Sequence, residues 1–366
     1  MKPIKNLVLS GGGLRGYCYL SILRLMEENK DMFQLKSIAA TSAGAMFAAL
    51  IISGVTYKEL YNKLSTKDTT DFQHIKLDNI LKFLERFGVD DGHFFMEFIA
   101  YFISKRFRNP DITLMEIYNI TDIDLKITGT CLNTREPVYF SYRNYPDMPL
   151  LLAIRISMSI PFYFIPIYYQ NQLYVDGGVV DNFPIQLYHD EMEDTMGLYL
   201  QDNRETKHEI NVFEDYAHCV FFASTCHRDS KKFVKYESYC VNIPLDDVSV
   251  YSKSLDNSTR EHWLNISYNL IKLHLGNRRL YPLGPYREPM IIIDNNNHNN
   301  NDNKNNDDDK NNDDDKKIDR LSEKDIEELK KDITESIHQT IEKTFKNTME
   351  DTIKNAIDNY FEGHKR

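Results

Sequence analysis

The feature that most constrains the fold is a short apolar run that ends in three consecutive glycines. Residues 5–10 read KNLVLS, and Gly11, Gly12 and Gly13 follow directly. Such a run bounded by glycines is typical of a buried strand that leads into a tight turn. Apolar residues then recur at helical spacing over residues 17–29. The pattern predicts a strand, a glycine turn and a helix in that order.

The order of strand and helix repeats at once. Residues 35–40 predict a second strand, and the sequence AGAMFAALIIS after Ser42 predicts a buried helix. This alternation favours a mostly parallel sheet with helices on both faces, an α/β fold of three layers (α/β/α). Further strands are expected at 125–130, 136–142, 173–175 and 197–200, and helices over much of 57–118, at 149–159 and near 263–275.

The composition changes near residue 294. Residues 294–316 consist mainly of Asn and Asp, with eight Asp and three Lys, and this composition predicts a disordered linker. Residues 317–366 predict an amphipathic helix with an apolar residue at every fourth position from Ile333 to Phe361. A spacing above 3.6 winds the apolar stripe around the helix. Three interpretations stay open: self-association as a coiled coil, contact with a membrane surface, and a solvated helix packed loosely on the body.

The charge is concentrated in the same appendage. The chain has 44 basic and 55 acidic side chains, a net charge of −11, which argues against nucleic acid as a partner. Seven of these negative charges belong to residues 294–366, so residues 1–293 carry only −4. The nearly neutral body is therefore compatible with transient docking on a membrane surface.

The cysteine content and the N-terminal sequence predict the cellular compartment of the protein. An odd number of cysteines without a CxxC pair is typical of free thiols in a reducing compartment. Cys219 and Cys226, with His218 and His227 beside them, do not have the spacing of a zinc site, so no metal is expected. No apolar run reaches the ~18 residues of a membrane span, and the first run is too short for a signal peptide. We expect an intracellular protein, soluble or peripherally associated with membranes.

The glycine turn is the first of three motifs with candidate chemistry. Residues 10–16 read SGGGLRG, and glycines between a strand and a helix let backbone N–H groups face an anion. The run also satisfies GxGxxG through Gly11, Gly13 and Gly16, so a nucleotide site is an alternative. A nucleotide-binding fingerprint needs an acidic residue about 20 positions further on. Lys36 stands in that region, which weakens the nucleotide interpretation.

The second and third motifs supply a nucleophile and a carboxylate. Residues 40–44 read ATSAG, and a serine between a strand and a helix with small neighbours fits a nucleophile elbow around Ser42. The usual GxSxG pattern has glycine where this chain has Ala40, and a helix N-cap is the simpler alternative. Residues 174–184 read YVDGGVVDNFP, which places Asp176 on a tight turn.

In this order and spacing, the three motifs resemble the patatin-like phospholipase family. The resemblance covers residues 5–189 and includes the segments GVDDG, ITLMEIY and AIRISMSIPFYFIPI. It implies a patatin-like catalytic core over 5–189, with residues 190–293 as the C-terminal part of the catalytic body. It also implies a lipid acyl hydrolase that acts on phospholipid or another acyl lipid and needs no cofactor.

The resemblance also implies roles for particular residues. Ser42 matches the nucleophile and Asp176 the carboxylate of a Ser–Asp dyad. The remaining matches are Gly11, Gly12, Gly13, Arg15 and Gly16 in the oxyanion loop, Ala40, Thr41, Ala43 and Gly44 in the elbow, and Gly177 and Gly178 in the Asp-Gly-Gly turn.

Two alternatives to this mechanism stay open. A catalytically silent lipid- or membrane-binding module with the same fold is one, and Ala40 is the departure that favours it. The other is a Ser–His–Asp triad, because His189 follows Asp176 in the Ser…Asp…His order of other hydrolases.

Overall fold

The computed structural model describes residues 2–67, 79, 82–202, 210, 213–245, 255–281 and 283–286. The chain divides into two units, Met1–Met290 and Ile291–Arg366, and every described residue belongs to the first. The linker predicted at 294–316 and the helix predicted at 317–366 therefore lie outside the described residues.

Eight strands in the described part of the chain form one mixed sheet. The strands are β1 (Ile4–Leu9), β2 (Phe33–Thr41), β3 (Asp124–Cys131), β4 (Glu136–Phe140), β5 (Ile167–Tyr169), β6 (Gln172–Asp176), β7 (Thr195–Asp202) and β8 (Cys240–Leu245). Their order in the sheet is β5-β6-β3-β2-β1-β7-β8, with β4 paired to β3. The five strands from β3 to β8 along this order run parallel, whereas β3 pairs antiparallel with β4 and β6.

Helices connect and cover these strands. The α-helices of the described residues are α1 (Leu20–Glu28), α2 (Ala43–Ile52), α3 (Tyr57–Ser65), α4 (Phe83–Arg86), α5 (His93–Phe107), α6 (Leu114–Thr121), α7 (Leu150–Ser157), α8 (Phe213–Lys235) and α9 (Asn257–Leu280). Short 3-10 segments span Gly13–Tyr19, Lys30–Met32, Gly177–Val179, Ile185–Asp194 and Glu237–Tyr239. No helix among the described residues is both long and apolar enough to cross a membrane.

Side chains alternate between two cores, one on each face of the sheet. Leu7 and Leu9 of β1 belong to the larger core, under α1, α2, α7 and α9, while Val8 points to the other face. The core on that face also includes Ile185, in the 3-10 segment 185–194, and Tyr236, which directly follows α8. The predicted three-layer α/β/α architecture with a mostly parallel sheet is confirmed.

The order of the strands locates a crevice. Strand β1 lies between β2 and β7 and is parallel to both. The chain therefore continues from β1 to β2 on one side of this strand, and it later adds β7 on the other side. In open α/β sheets the carboxyl ends of strands at such a point leave room for a ligand. The glycine loop follows β1 and Ser42 follows β2, so two of the three predicted motifs lie at this point.

The first helix differs from the prediction at its start. The apolar pattern over 17–29 predicts one helix, but a 3-10 segment runs from Gly13 to Tyr19 and α1 begins at Leu20. The Tyr19 hydroxyl donates a hydrogen bond of 2.7 Å to the carbonyl of Ser10. This contact holds the 3-10 segment against the end of β1. A 3-10 helix is wound more tightly than an α-helix, which keeps the glycine loop close to the sheet.

Candidate active site

Ser42 occupies a strained turn between β2 and α2. Its backbone has φ 52° and ψ −121°, a combination that residues other than glycine rarely adopt. Gly44 makes the turn possible, because a Cβ atom there would lie 2.5 Å from the carbonyl oxygen of Leu9 and 2.7 Å from that of Ser10. The geometry is that of a nucleophile elbow, in which a sharp strand-to-helix turn presents the serine hydroxyl.

The hydroxyl of Ser42 meets the carboxylate of Asp176. The Oγ atom donates a hydrogen bond of 2.6 Å to Oδ2 of Asp176, across 134 residues of sequence. The other carboxylate oxygen, Oδ1, accepts 2.7 Å from the N–H of Gly178. Only 6% of Ser42 and 1% of Asp176 is exposed. The serine hydroxyl and the carboxylate are therefore in direct contact at an almost fully buried position.

Asp176 is held from two sides. Its N–H donates to the carbonyl oxygen of Ser159 at 2.8 Å, and the Thr130 hydroxyl donates to its carbonyl oxygen at 2.9 Å. Gly177 packs so closely on β3 that a Cβ atom would lie 2.4 Å from the carbonyl oxygen of Thr128. The Asp-Gly-Gly turn is thus pressed against the sheet, which fixes the direction of the carboxylate.

Burial changes the acidity of this carboxyl. Desolvation raises the pKa of Asp176 from 3.8 to about 7, although the hydrogen bonds from Ser42 and Gly178 act in the opposite direction. A buried group loses the hydration of its charged form, so it holds its proton more tightly. A carboxyl with a pKa near neutrality can accept a proton from Ser42 and return it later.

The glycine loop lies against the elbow. A Cβ atom on Gly11 would lie 3.0 Å from Cβ of Ser42, and one on Gly16 would lie 2.8 Å from Cβ of Ala43. Gly13 has φ +55°, which favours glycine at this position. Within the described residues, the N–H groups of Gly12 and Gly13 have no hydrogen-bond partner, so both can donate to an anion.

Arg15 braces this loop. The residue is 2% exposed, and its Nε donates to the carbonyl oxygen of Gly12 at 3.3 Å. The contact supports the backbone of the loop that the resemblance assigns to the oxyanion hole.

Some neighbours of the site have no signal in the motifs. Ser157, at the end of α7, accepts a hydrogen bond of 2.8 Å from the N–H of Ser42 through its Oγ. Asn182 exchanges backbone and side-chain hydrogen bonds with Gly11. They lie in the segments AIRISMSIPF and VVDNFP, where neither residue type stands out from an ordinary helix or turn.

His189 makes its described contacts elsewhere. Its Nδ1 lies 3.1 Å from the Tyr236 hydroxyl, and its ring lies 5.0 Å from that of Tyr286. Both tyrosines pack on the second core. The hydrogen bonds of Ser42 and Asp176 within the described residues do not involve this histidine.

The remaining predicted residues are placed as follows. Ala40 is buried in β2 between β1 and β3, and the Thr41 hydroxyl donates to the carbonyl oxygen of Asp181 at 3.0 Å. Lys36 forms a surface ion pair with Asp122. The side chains of His218, Cys226 and His227 lie outside the described residues, and Cys219 is a half-buried free thiol.

Comparisons with known proteins identify the family of this chain. A family model described as Patatin-like phospholipase matches residues 7–188. Uncharacterized protein YqhO of Bacillus subtilis (strain 168) is 30% identical over 260 residues, which cover 66% of this chain and 87% of YqhO. Probable lipid hydrolase 463L of Invertebrate iridescent virus 6 is 30% identical over 196 residues, which cover 51% of this chain and 63% of that protein.

A solved structure shares the fold. The crystal structure of VipD from Legionella pneumophila matches with a TM-score of 0.51 and 16% sequence identity, covering 75% of this chain and 67% of VipD. The profile match together with the similarity to YqhO shows that this chain belongs to the patatin-like phospholipase family.

Proposed function

We propose that this protein hydrolyses carboxylic ester bonds of acyl lipids through a Ser42–Asp176 dyad. Membership of the patatin-like phospholipase family and the similarity to a protein named as a probable lipid hydrolase support lipid acyl hydrolysis. The observation that carries the finer assignment is the 2.6 Å hydrogen bond from a strained serine to a buried carboxylate.

The first half of the reaction forms an acyl-enzyme. Ser42 Oγ attacks the ester carbonyl carbon while its proton passes to Asp176 Oδ2. The carbonyl oxygen becomes negatively charged, and the N–H groups of Gly12 and Gly13 stabilise it. The tetrahedral intermediate then collapses, the bond to the alcohol oxygen breaks, and the proton on Asp176 moves to the departing alcohol.

The second half releases the fatty acid. A water molecule attacks the acyl carbonyl carbon as Asp176 accepts its proton. The second tetrahedral intermediate collapses, and the proton returns to Ser42 Oγ as the fatty acid leaves. A carboxyl with a pKa of about 7 serves both directions, because neither protonation state is strongly disfavoured near neutral pH.

Release of free fatty acid from lipid tests the proposal. Wild type, Ser42→Ala and Asp176→Asn are incubated with phosphatidylcholine vesicles and, separately, with a triacylglycerol emulsion, which distinguishes the two lipid classes. Matched controls are Ser65→Ala and Asp122→Asn, both at exposed positions. We expect release by wild type and controls, and a loss of at least about 100-fold in the dyad variants.

Two outcomes would overturn this assignment. Equal release by wild type and the dyad variants would refute the dyad, and absence of release in both lipid arms would favour a silent lipid-binding module. A His189→Ala variant separates dyad from triad, since a loss as large as that of Ser42→Ala would require the histidine.

A further inference from the structure

Residues 179–182, directly after the Asp-Gly-Gly turn, contact both the glycine loop and the elbow that carries Ser42. The N–H of Gly11 donates to the backbone carbonyl oxygen of Asn182 at 3.1 Å, and Nδ2 of Asn182 donates to the carbonyl oxygen of Gly11 at 3.4 Å. The Thr41 hydroxyl donates to the carbonyl oxygen of Asp181 at 3.0 Å. We call residues 179–182 the bridging segment, because a shift in it would move the glycine loop and the elbow together.

The last part of α8 holds the bridging segment by two polar contacts. Arg228 Nη2 donates a hydrogen bond of 3.1 Å to the carbonyl oxygen of Val179, and Lys232 Nζ forms an ion pair with Oδ1 of Asp181. The two residues of α8 thus contact two different residues of the segment.

The ion pair is shielded from water. The side chain of Asp181 is 3% exposed and that of Lys232 is 20% exposed. Asp181 Oδ2 also accepts hydrogen bonds from the Tyr139 hydroxyl and from Nε2 of Gln186, both at 2.5 Å. A buried carboxylate needs such partners, and loss of its cation leaves a charge without compensation.

Lys232 also faces a second carboxyl. Burial raises the pKa of Asp229 from 3.8 to about 7, the nearby Asp181 charge acts in the same direction, and the charges of Lys232 and Arg228 oppose it. Lys232 therefore offsets the negative charge of two buried carboxyl groups, and without it Asp181 loses its ion-pair partner.

From these contacts we propose that Lys232 is a positioning residue for the ester hydrolysis: its ion pair with Asp181 sets the bridging segment, and thereby the distance between the oxyanion loop and Ser42. The inference rests on the proposed function. Lys232 does not touch the reacting atoms, and it lies beyond residues 7–188, which the family model matches. Residues 190–293, the C-terminal part of the catalytic body, would then contribute to the geometry of the active site.

The test compares Lys232→Met with Lys231→Met, a matched change at the neighbouring exposed lysine. Turnover of a soluble short-chain p-nitrophenyl ester is measured per active site, counted by fluorophosphonate titration. We expect kcat of Lys232→Met to fall about tenfold with KM changed less than about twofold, the signature of lost transition-state stabilisation. Lys232→Arg, which keeps the charge, should recover most of kcat, and Lys231→Met should match wild type.

The outcomes separate a positioning role from a purely structural one. If Lys232→Met lowers the melting temperature but leaves kcat per active site unchanged, the inference is wrong. Should that variant not fold, Lys232→Met combined with Asp181→Asn removes both charges and carries the same expectation and the same contrary result. Ser42→Ala is measured in parallel: hydrolysis by wild type no higher than by this variant overturns the proposed function and this inference together, whereas active wild type with unchanged Lys232 variants overturns the inference alone.

Discussion

The backbone N–H of Ser42 donates a hydrogen bond of 2.8 Å to Oγ of Ser157. The partner lies at the end of α7 and is completely buried. The bond occupies the N–H of the proposed nucleophile, so the proposed mechanism assigns the oxyanion to other donors, those of the glycine loop. It also secures the turn at the point where φ is 52°.

Replacement of Ser157 by Ala should disturb the elbow. The change leaves a buried N–H without an acceptor, which costs about 1–3 kcal/mol. We expect kcat to fall about tenfold, because the strained backbone of Ser42 is free to relax. Steady-state hydrolysis of a soluble ester measures the effect. Ser53→Ala is the control, since the hydroxyl of Ser53, the residue directly after α2, donates a hydrogen bond to the carbonyl oxygen of Ala49 in that helix. Equal kcat in both variants would contradict the prediction.

Replacement of Gly44 by Ala should destabilise the protein. The added methyl group meets the carbonyl oxygens of Leu9 and Ser10 at 2.5 and 2.7 Å, and backbone atoms cannot move aside as a flexible side chain can. Overpacking of this kind costs about 1–3 kcal/mol. Gly276→Ala in α9 is the matched control, because a Cβ atom there meets nothing within 4 Å and the change favours a helix by about 0.5–1 kcal/mol. Urea unfolding of both variants measures the free energy of unfolding, which should decrease in Gly44→Ala and increase in Gly276→Ala.

The activity should depend on pH through Asp176. The carboxylate accepts the proton of Ser42 only when it is ionised, and burial raises its pKa to about 7. We expect kcat/KM for a soluble ester to rise between about pH 5.5 and 8, with a midpoint near 7. A profile that is flat across this range, with its midpoint near the ordinary Asp value of about 4, would contradict the raised pKa.

The same shift makes a prediction about stability. The folded protein holds the Asp176 proton more tightly than the unfolded chain does, so between pH 4 and 7 the folded state binds more protons. The free energy of unfolding therefore decreases as the pH rises through this window. Asp229, whose pKa is also raised to about 7, contributes with the same sign. Asp176→Asn should make the decrease shallower, measured by chemical unfolding at pH 5 and pH 8; an unchanged slope would show that the folded pKa is not raised.

The parts of the site that could be predicted from the sequence are those with a local pattern. Strands followed by small residues predicted the positions of Gly11, Ser42 and Asp176, because the tight turns that follow β1, β2 and β6 need such residues. The contact of Ser157 with Ser42 spans 115 residues, and that of Lys232 with Asp181 spans 51. A lone serine or lysine carries no signal for such a contact, since only the packing of α7 and α8 brings it to the site.

Secondary structure shows the same distinction. Strand β5 (Ile167–Tyr169) was not predicted, because the aromatic run FYFIPIYY fits an apolar groove or core as well as an edge strand. The apolar spacing predicts that the first helix begins at residue 17, since this spacing does not distinguish a 3-10 turn from the first turn of an α-helix. Contacts with the sheet decide both cases.

The central claim is that Ser42, activated by Asp176, is the nucleophile. Mass spectrometry of the protein after reaction with a fluorophosphonate measures this directly. The account predicts one covalent adduct per chain, located on Ser42, with a labelling rate at least about 100-fold lower in Asp176→Asn than in Asp122→Asn. An adduct on another residue, or labelling of Ser42 at the wild-type rate in Asp176→Asn, would contradict it.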